Sequence, residues 1–212
     1  MKKSEKTEKT VNKILAAATA EFGLRGYGGG TVNNICKSGI NKGLVYHNFS
    51  GKDQLYLQCL KKSAEKLTSY IRGENGYSDI GGYMQARMDF FNTNPDEAHI
   101  LFDALLNPPQ HLCDRINAIL KDFNAMNESV YSATLAKYVL RDGVSYSDAL
   151  SYLRLMQTML NGYFSSPAFA SVDRSEKIKK HEYAVPRLID YMLFGIVKGE
   201  KEKRYGKDNS GD

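Results

Sequence analysis

Val11, Ile14, Leu15, Ala18 and Phe22 recur at steps of three and four, which predicts a helix over 10–25 with one buried stripe, stopped by Gly26. Thr31 is placed to cap a short second helix whose Val32 and Ile35 face inward while Asn33, Asn34 and Lys37 stay in water. Gly39 can take the left-handed conformation that ends this helix within a residue. Asn41 caps a third helix, from Lys42 to Phe49. Val45 and Phe49 lie one turn apart on its inner side, and Lys42, Leu44, Tyr46 and His47 on its outer side. Ser50 followed by Asp53 reads as a capping box opening a long helix to about Arg72, with Tyr56, Cys59, Leu60, Ser63, Leu67, Tyr70 and Ile71 along one side. The G-E-N-G-Y-S run from Gly73 ends that helix and marks a seam between a head and a larger body.

Beyond the seam no alternating strand pattern of useful length occurs. Helical periodicity continues near 78–93, 96–106, 110–140, 146–165 and 174–198, punctuated by Asn94-Pro95, Pro108-Pro109, Asp142-Gly143 and Ser165-Ser166-Pro167. Pro186 falls inside the last pattern and predicts a kink there. From Gly199 onward the chain holds too little apolar surface to fold, so 199–212 reads as a disordered tail. The expected fold class is therefore all-α: a three-helix head over 1–50, a connecting helix over 50–72, and a helical body over 73–198.

Composition changes this picture in one respect. The 212 residues are 42% hydrophobic and 25% charged, ordinary globular values, and the net charge is a modest +5. That charge is unevenly placed: residues 1–72 carry +8 and residues 73–212 carry −3. A basic head on a slightly acidic body suits a protein whose first third meets phosphate. Cys36, Cys59 and Cys113 are odd in number and include no C-x-x-C pair, which argues against a disulfide framework and for a reducing, cytoplasmic setting. No apolar stretch of signal-peptide type follows the charged N-terminus, and Leu188 to Val197 is too short to span a bilayer and holds Asp190. No membrane association is expected.

The candidate chemistry is that of binding. His111 and Cys113 are two apart, so on a helix they face apart, and no second tight pair completes a metal site. Asp96 and Glu97 read as the acidic first turn of a helix. No G-x-S-x-G, H-E-x-x-H or strand-linked phosphate loop occurs, so neither an enzyme nor a cofactor is expected. In contrast, two helices joined at Ser38-Gly39-Ile40 form a helix-turn-helix pattern, whose second helix lies in the major groove of DNA.

The run S-G-I-N-K-G-L-V-Y-H-N-F, followed by Lys52, Asp53 and Leu55, closely resembles the TetR family of transcriptional regulators. Upstream, I-L-A-A-A-T-A-E-F-G-L-R-G-Y-x-x-x-T is similar to that family's first helix and its Gly-aromatic-x-x-x-Thr junction, so the resemblance spans residues 10 to 72. Two details depart from the pattern: Cys36 stands where a small alanine is common, and Gly28, Gly29 and Gly30 loosen the junction before Thr31. The resemblance implies that Thr31, Lys42, Tyr46, His47 and Lys52 contact the DNA backbone and that Gly43 and Leu44 lie near bases. Asn33 and Asn41 complete the candidate DNA set. The chemistry agrees: lysines release counterions from phosphate, Tyr46 and His47 can donate to phosphate oxygens, and Leu44 can meet a thymine methyl.

The body is rich in soft and aromatic side chains, with Arg87, His99, His111, Asn127 and Gln157 interspersed. Each apolar one, taken alone at helical spacing, reads as core. The resemblance implies an effector pocket among them, with Met84, Arg87, Met88, Phe91, Phe102, His111, Phe123, Met126, Met156, Met159 and Tyr163 as candidates. It also implies a homodimer through the last two large helices, packed against a partner's copies as a four-helix bundle, with Leu153, Leu160, Leu188, Met192 and Ile196 as interface candidates. The expected function is a ligand-responsive repressor that binds a near-palindromic double-stranded operator as a homodimer and answers a small-molecule effector of unknown identity. The alternatives are an activator or ligand-independent regulator, or a helical small-molecule binder or enzyme whose head has lost DNA binding.

Overall fold

The computed structural model describes residues 3–73 and 79–195. Among these, helices are the only regular elements: α1 (Lys3–Gly29), α2 (Val32–Cys36), α3 (Lys42–Asn48), α4 (Lys52–Arg72), α5 (Ile80–Thr93), α6 (Pro95–Leu106), α7 (Cys113–Leu135), α8 (Tyr146–Ser165) and α9 (Arg174–Phe194), with single 3-10 turns at Gln110–Leu112 and Pro167–Phe169. The structure is all-α, as the periodicity predicts.

Boundaries differ where a local rule meets a tertiary one. The first helix starts at Lys3 rather than residue 10. Gly26 does break the helical path, at φ 65 and ψ 179, yet a further helical turn follows to Gly29 because the Gly30 N–H bonds back to the Gly26 carbonyl at 3.0 Å. The capping box expected at Ser50 is absent. Gly51 holds the N-cap position with no side-chain bond, Gln54 accepts the Ser50 N–H, and Asp53 is taken by a partner from α1. The pattern over 110–140 resolves into a 3-10 turn, α7, and turns in which the Lys137 and Tyr138 N–H groups reach only three residues back. A full capping box between Ser145 and Asp148 then starts α8. Asp173 caps α9, which continues through Pro186 to Phe194. Residue 78, the segment 196–198 with the interface candidate Ile196, and the tail 199–212 lie outside the described residues.

α4 is the spine. It packs against α1 on the head side and against α5, α6 and α7 in the body, so a single hydrophobic core runs from Ile14, Phe22 and Val45 through Tyr56 and Leu60 to Tyr83, Phe90 and Leu101. Phe22 meets Tyr56 edge to face at 5.3 Å, joining α1 to the spine. α1 also lies directly on α6. A Cβ built at Gly23 would stand 2.8 Å from the Asp96 Cα, so this helix crossing requires glycine. α8 and α9 pair with each other on the far side and rest on α6. Among the described residues no helix is long and apolar enough to cross a membrane.

Candidate nucleic-acid interface and body cavities

The interface is built from two caps and a glycine. Thr31 is extended, and its hydroxyl accepts the Asn34 N–H at 3.1 Å to start α2. Glu21 on α1 accepts both the Thr31 N–H (3.2 Å) and the Asn34 side-chain amide (2.9 Å), so Asn34, expected in water, is half-buried and braces the helix instead. Gly39 sits at φ 81, the left-handed region that a Cβ disfavours, and turns the chain into α3. Asn41 then accepts the Gly43 N–H at 2.7 Å. Ile35, Val45 and Phe49 are buried behind this turn and hold the two short helices at a fixed crossing. With that side pinned, Lys42, Gly43, Leu44, Tyr46 and His47 are all exposed, with Leu44 and Tyr46 about half accessible. Lys42 Nζ stands 6.0 Å from the Tyr46 ring, and Thr31, Asn33 and Asn41 are exposed beside them. Lys52, at the first turn of α4, is aimed by Tyr27: its ammonium lies 4.4 Å from that ring and 3.5 Å from the Gly28 carbonyl.

Tyr27 also ties the head to the body. Its hydroxyl donates to Asp53 Oδ1 at 2.6 Å, and His111 Nε2 lies 3.2 Å from both that hydroxyl and Asp53 Oδ2. Burial, with help from the Asp53 hydrogen bond and charge, pushes the Tyr27 phenol up to about 12. The same hydrogen bond, then His111, holds the Asp53 carboxyl below the usual carboxylate range. The Tyr27 N–H donates to Asp103 Oδ2 at 2.8 Å, and Arg174 reaches from α9 to the Gly23 carbonyl at 3.3 Å. His99 bridges Gly23 and Ser175 at 3.1 and 3.0 Å, and burial, followed by the charge of Arg174, pulls its pKa down. A Cβ at Gly26, already at positive φ, would come within 2.3 Å of the Arg174 guanidinium. This seam joins residues 76 to 151 positions apart, and no local pattern signals it.

A model of the tetR family of bacterial regulatory proteins matches residues 14–59, from the inner stripe of α1 through the helix-turn-helix into α4. Over these residues the chain carries the N-terminal segment of the TetR family. It is 27% identical over 117 residues to IcaR of Staphylococcus aureus, a negative transcriptional regulator of the biofilm operon icaADBC, covering 53% of this chain and 62% of that one. It is 45% identical over 61 residues to the transcriptional regulator LmrA of Bacillus subtilis, covering 28% and 32%. The chain thus spans about six-tenths or less of the length of these curated relatives. In fold it is similar to the regulator FadR of Bacillus subtilis, solved in complex with stearoyl-CoA, with TM-score 0.61 and 16% identity over 87% of this chain and 98% of that one.

In the body the effector candidates do not line one common pocket. Met84, Phe91, Phe123 and Met126 are core residues, and Phe102 is buried between the Phe91 and His181 rings. Met88 borders a cavity of only about 170 Å³. His111 lies at the head-body seam rather than in a pocket. Arg87 is buried in an ion pair, its Nε and Nη2 donating to the two Glu182 oxygens at 3.0 and 2.7 Å. Met159 and Tyr163 are exposed on the outside of the body, and Met156 is half-buried against the core beside them. With Leu160, Leu188 and Met192 they line an apolar groove of about 610 Å³ between α8 and α9. Leu153, proposed from its stripe for the dimer face, is instead buried and lines a different, solvent-open cavity of about 510 Å³ between α6, α7 and α8. A helical stripe shows which residues share a face. It does not show whether that face meets the core or the outside, because both are apolar here.

Proposed function

We propose that the chain is a ligand-responsive repressor that binds a near-palindromic operator as a homodimer. The observation that carries the reading is the braced recognition helix α3, which presents Lys42, Tyr46 and His47 to solvent while Val45 and Phe49 lock it to the core. A rigid helix with this face fits a major groove, its cations and hydroxyls positioning it on phosphate and Gly43 and Leu44 meeting bases. Thr31, Asn33, Asn41 and Lys52 extend the phosphate contacts.

Dimerisation is supported by the α8–α9 face. Tyr152, Leu155, Met159, Tyr163 and Phe194 are each more than half exposed, an apolar surface that a second copy would cover. A two-fold pair places two recognition helices about one DNA turn apart, roughly 34 Å, hence the near-palindrome. Repression is favoured over activation by the likeness to IcaR, a negative regulator.

The effector reading rests on a body with room for a small molecule, in a fold shared with a protein solved with a fatty acyl-CoA. α4 spans both parts, and the Tyr27, Asp53 and His111 cluster fastens the head to the body. A ligand that favours one spacing of the two heads lowers DNA affinity by its differential binding, and DNA lowers ligand affinity equally. Electrophoretic mobility shift with the DNA upstream of the chain's own gene tests the reading. Retarded bands that weaken steeply with salt are expected, and their absence at low salt sinks it.

A further inference from the structure

The cavity between α6, α7 and α8 has an unusual wall. Leu105, Ile116, Leu120, Leu150 and Leu153 supply its apolar lining. Interspersed with them along the same helices are Asn127 and Tyr131 of α7 and Gln157 and Asn161 of α8. Asn127 is buried, and its side-chain oxygen already accepts from Tyr83 and from Arg87 Nη1, which fixes the amide so that its nitrogen, also buried, is left without a partner. The Asn161 oxygen is held by His181 at 2.9 Å, leaving its nitrogen as the group available. Tyr131 is 7% exposed, and burial raises its pKa, so the hydroxyl keeps its proton. Gln157 is half-buried. A buried polar group without a partner is costly, and the Asn127 nitrogen, set among further amide and hydroxyl groups and apolar side chains, marks a place for a ligand that supplies both kinds of contact.

Charge narrows the ligand further. Among the described residues, the only charged groups on the cavity wall are Glu128 and Arg154, which are paired with each other at its exposed rim. Behind the wall, Arg87 and Glu182 neutralise one another. An anion or a cation entering the floor would lose its hydration and find no counter-charge.

We propose that this cavity is an effector site for an uncharged molecule of drug-like size, bearing carbonyl or amide groups on an apolar body. The inference rests on the ligand-responsive reading and assigns that site its chemistry. Occupancy acts on Asn127, and through it on Arg87 and Glu182, which join α5 to α9.

The test uses three nearly isosteric probes with the full-length protein: benzamide, benzoate and benzamidinium, titrated by ligand-observed NMR. Benzamide is expected to bind at least about tenfold more tightly than either ion. Tyr131→Phe, which keeps the ring and the packing, should weaken benzamide roughly three- to tenfold, the effect of one hydrogen bond. Thr158→Trp, an exposed change at the cavity wall, should block binding by filling the mouth. Equal binding of the three probes, or benzamide binding that both variants leave untouched, overturns the proposal. In parallel, small-molecule extract fractions are screened for loss of DNA binding. A fraction that loosens DNA and competes with benzamide supports the assignment. One that loosens DNA without competing overturns the assignment and leaves the ligand-responsive reading standing. If none loosens DNA, the ligand-responsive reading itself falls.

Discussion

Glu182→Gln is the sharpest perturbation available in the body. The Arg87 and Glu182 side chains are 3% and 1% exposed and meet through two hydrogen bonds, with His181 Nδ1 at 3.2 Å from the same carboxylate and Asn127 on the guanidinium. Glutamine keeps the shape but removes the charge, and it turns one acceptor into a donor facing guanidinium N–H groups. Removing one partner from a buried pair costs about 3–5 kcal/mol, because the remaining charge stays buried without compensation. With a urea slope of roughly 2 kcal/mol/M, the midpoint should fall by about 1.5–2.5 M at fixed protein concentration. Arg87→Met combined with Glu182→Met should cost less than the single change, since no charge is then orphaned. pH supplies a second reading. Burial alone would raise the Glu182 pKa, but Arg87 and His181 outweigh it and hold the carboxyl below its usual range. A lowered folded pKa contributes stability above the unfolded value, about 4.3, and that contribution is lost as pH falls toward the folded pKa. The difference in unfolding free energy between wild type and Glu182→Gln should therefore shrink as the pH drops below about 4.3. A loss under about 1 kcal/mol at neutral pH, or a difference that does not change with pH, would refute the claim that this pair is sealed from water.

Lys42→Ala should lower the magnitude of the salt slope of DNA binding by about 2, since each of the two subunits then leaves one phosphate un-neutralised and each such phosphate accounts for roughly 0.9. The melting temperature should not move. An unchanged slope would mean that α3 does not lie on phosphate. Gly23→Ala should destabilise the protein by about 1–3 kcal/mol in thermal unfolding, because its Cβ would overlap the Asp96 backbone. A neutral effect would mean that α1 and α6 can part freely. Tyr27→Phe removes the strongest contact on Asp53, so the Asp53 carboxyl should titrate higher, nearer the ordinary carboxylate range, in an NMR pH series. An Asp53 that titrates as in wild type would assign its low pKa to His111 instead.

What the chain decides alone is whatever depends on neighbours within a turn or two. Thr31 and Asn41 cap because a side-chain oxygen two or three residues ahead of a free N–H reaches it, and Gly39 turns because it lacks a Cβ. Val45 points inward from α3, and Phe49, the extended residue that ends the helix one turn later with its N–H on the Val45 carbonyl, reaches the same core. These contacts are local, so they are legible in order along the sequence, and with them the helix-turn-helix and the all-α class. Tertiary packing decided the rest. It drew Asp53 away from the expected capping box to Tyr27, and it placed His111 at the head-body seam. It sealed Arg87 against Glu182, 95 residues away, and turned Met159 outward while Leu153 turned in. Each outcome depends on which of several compatible surfaces meet when the helices close, and residues far apart in the chain carry no periodic signal of one another.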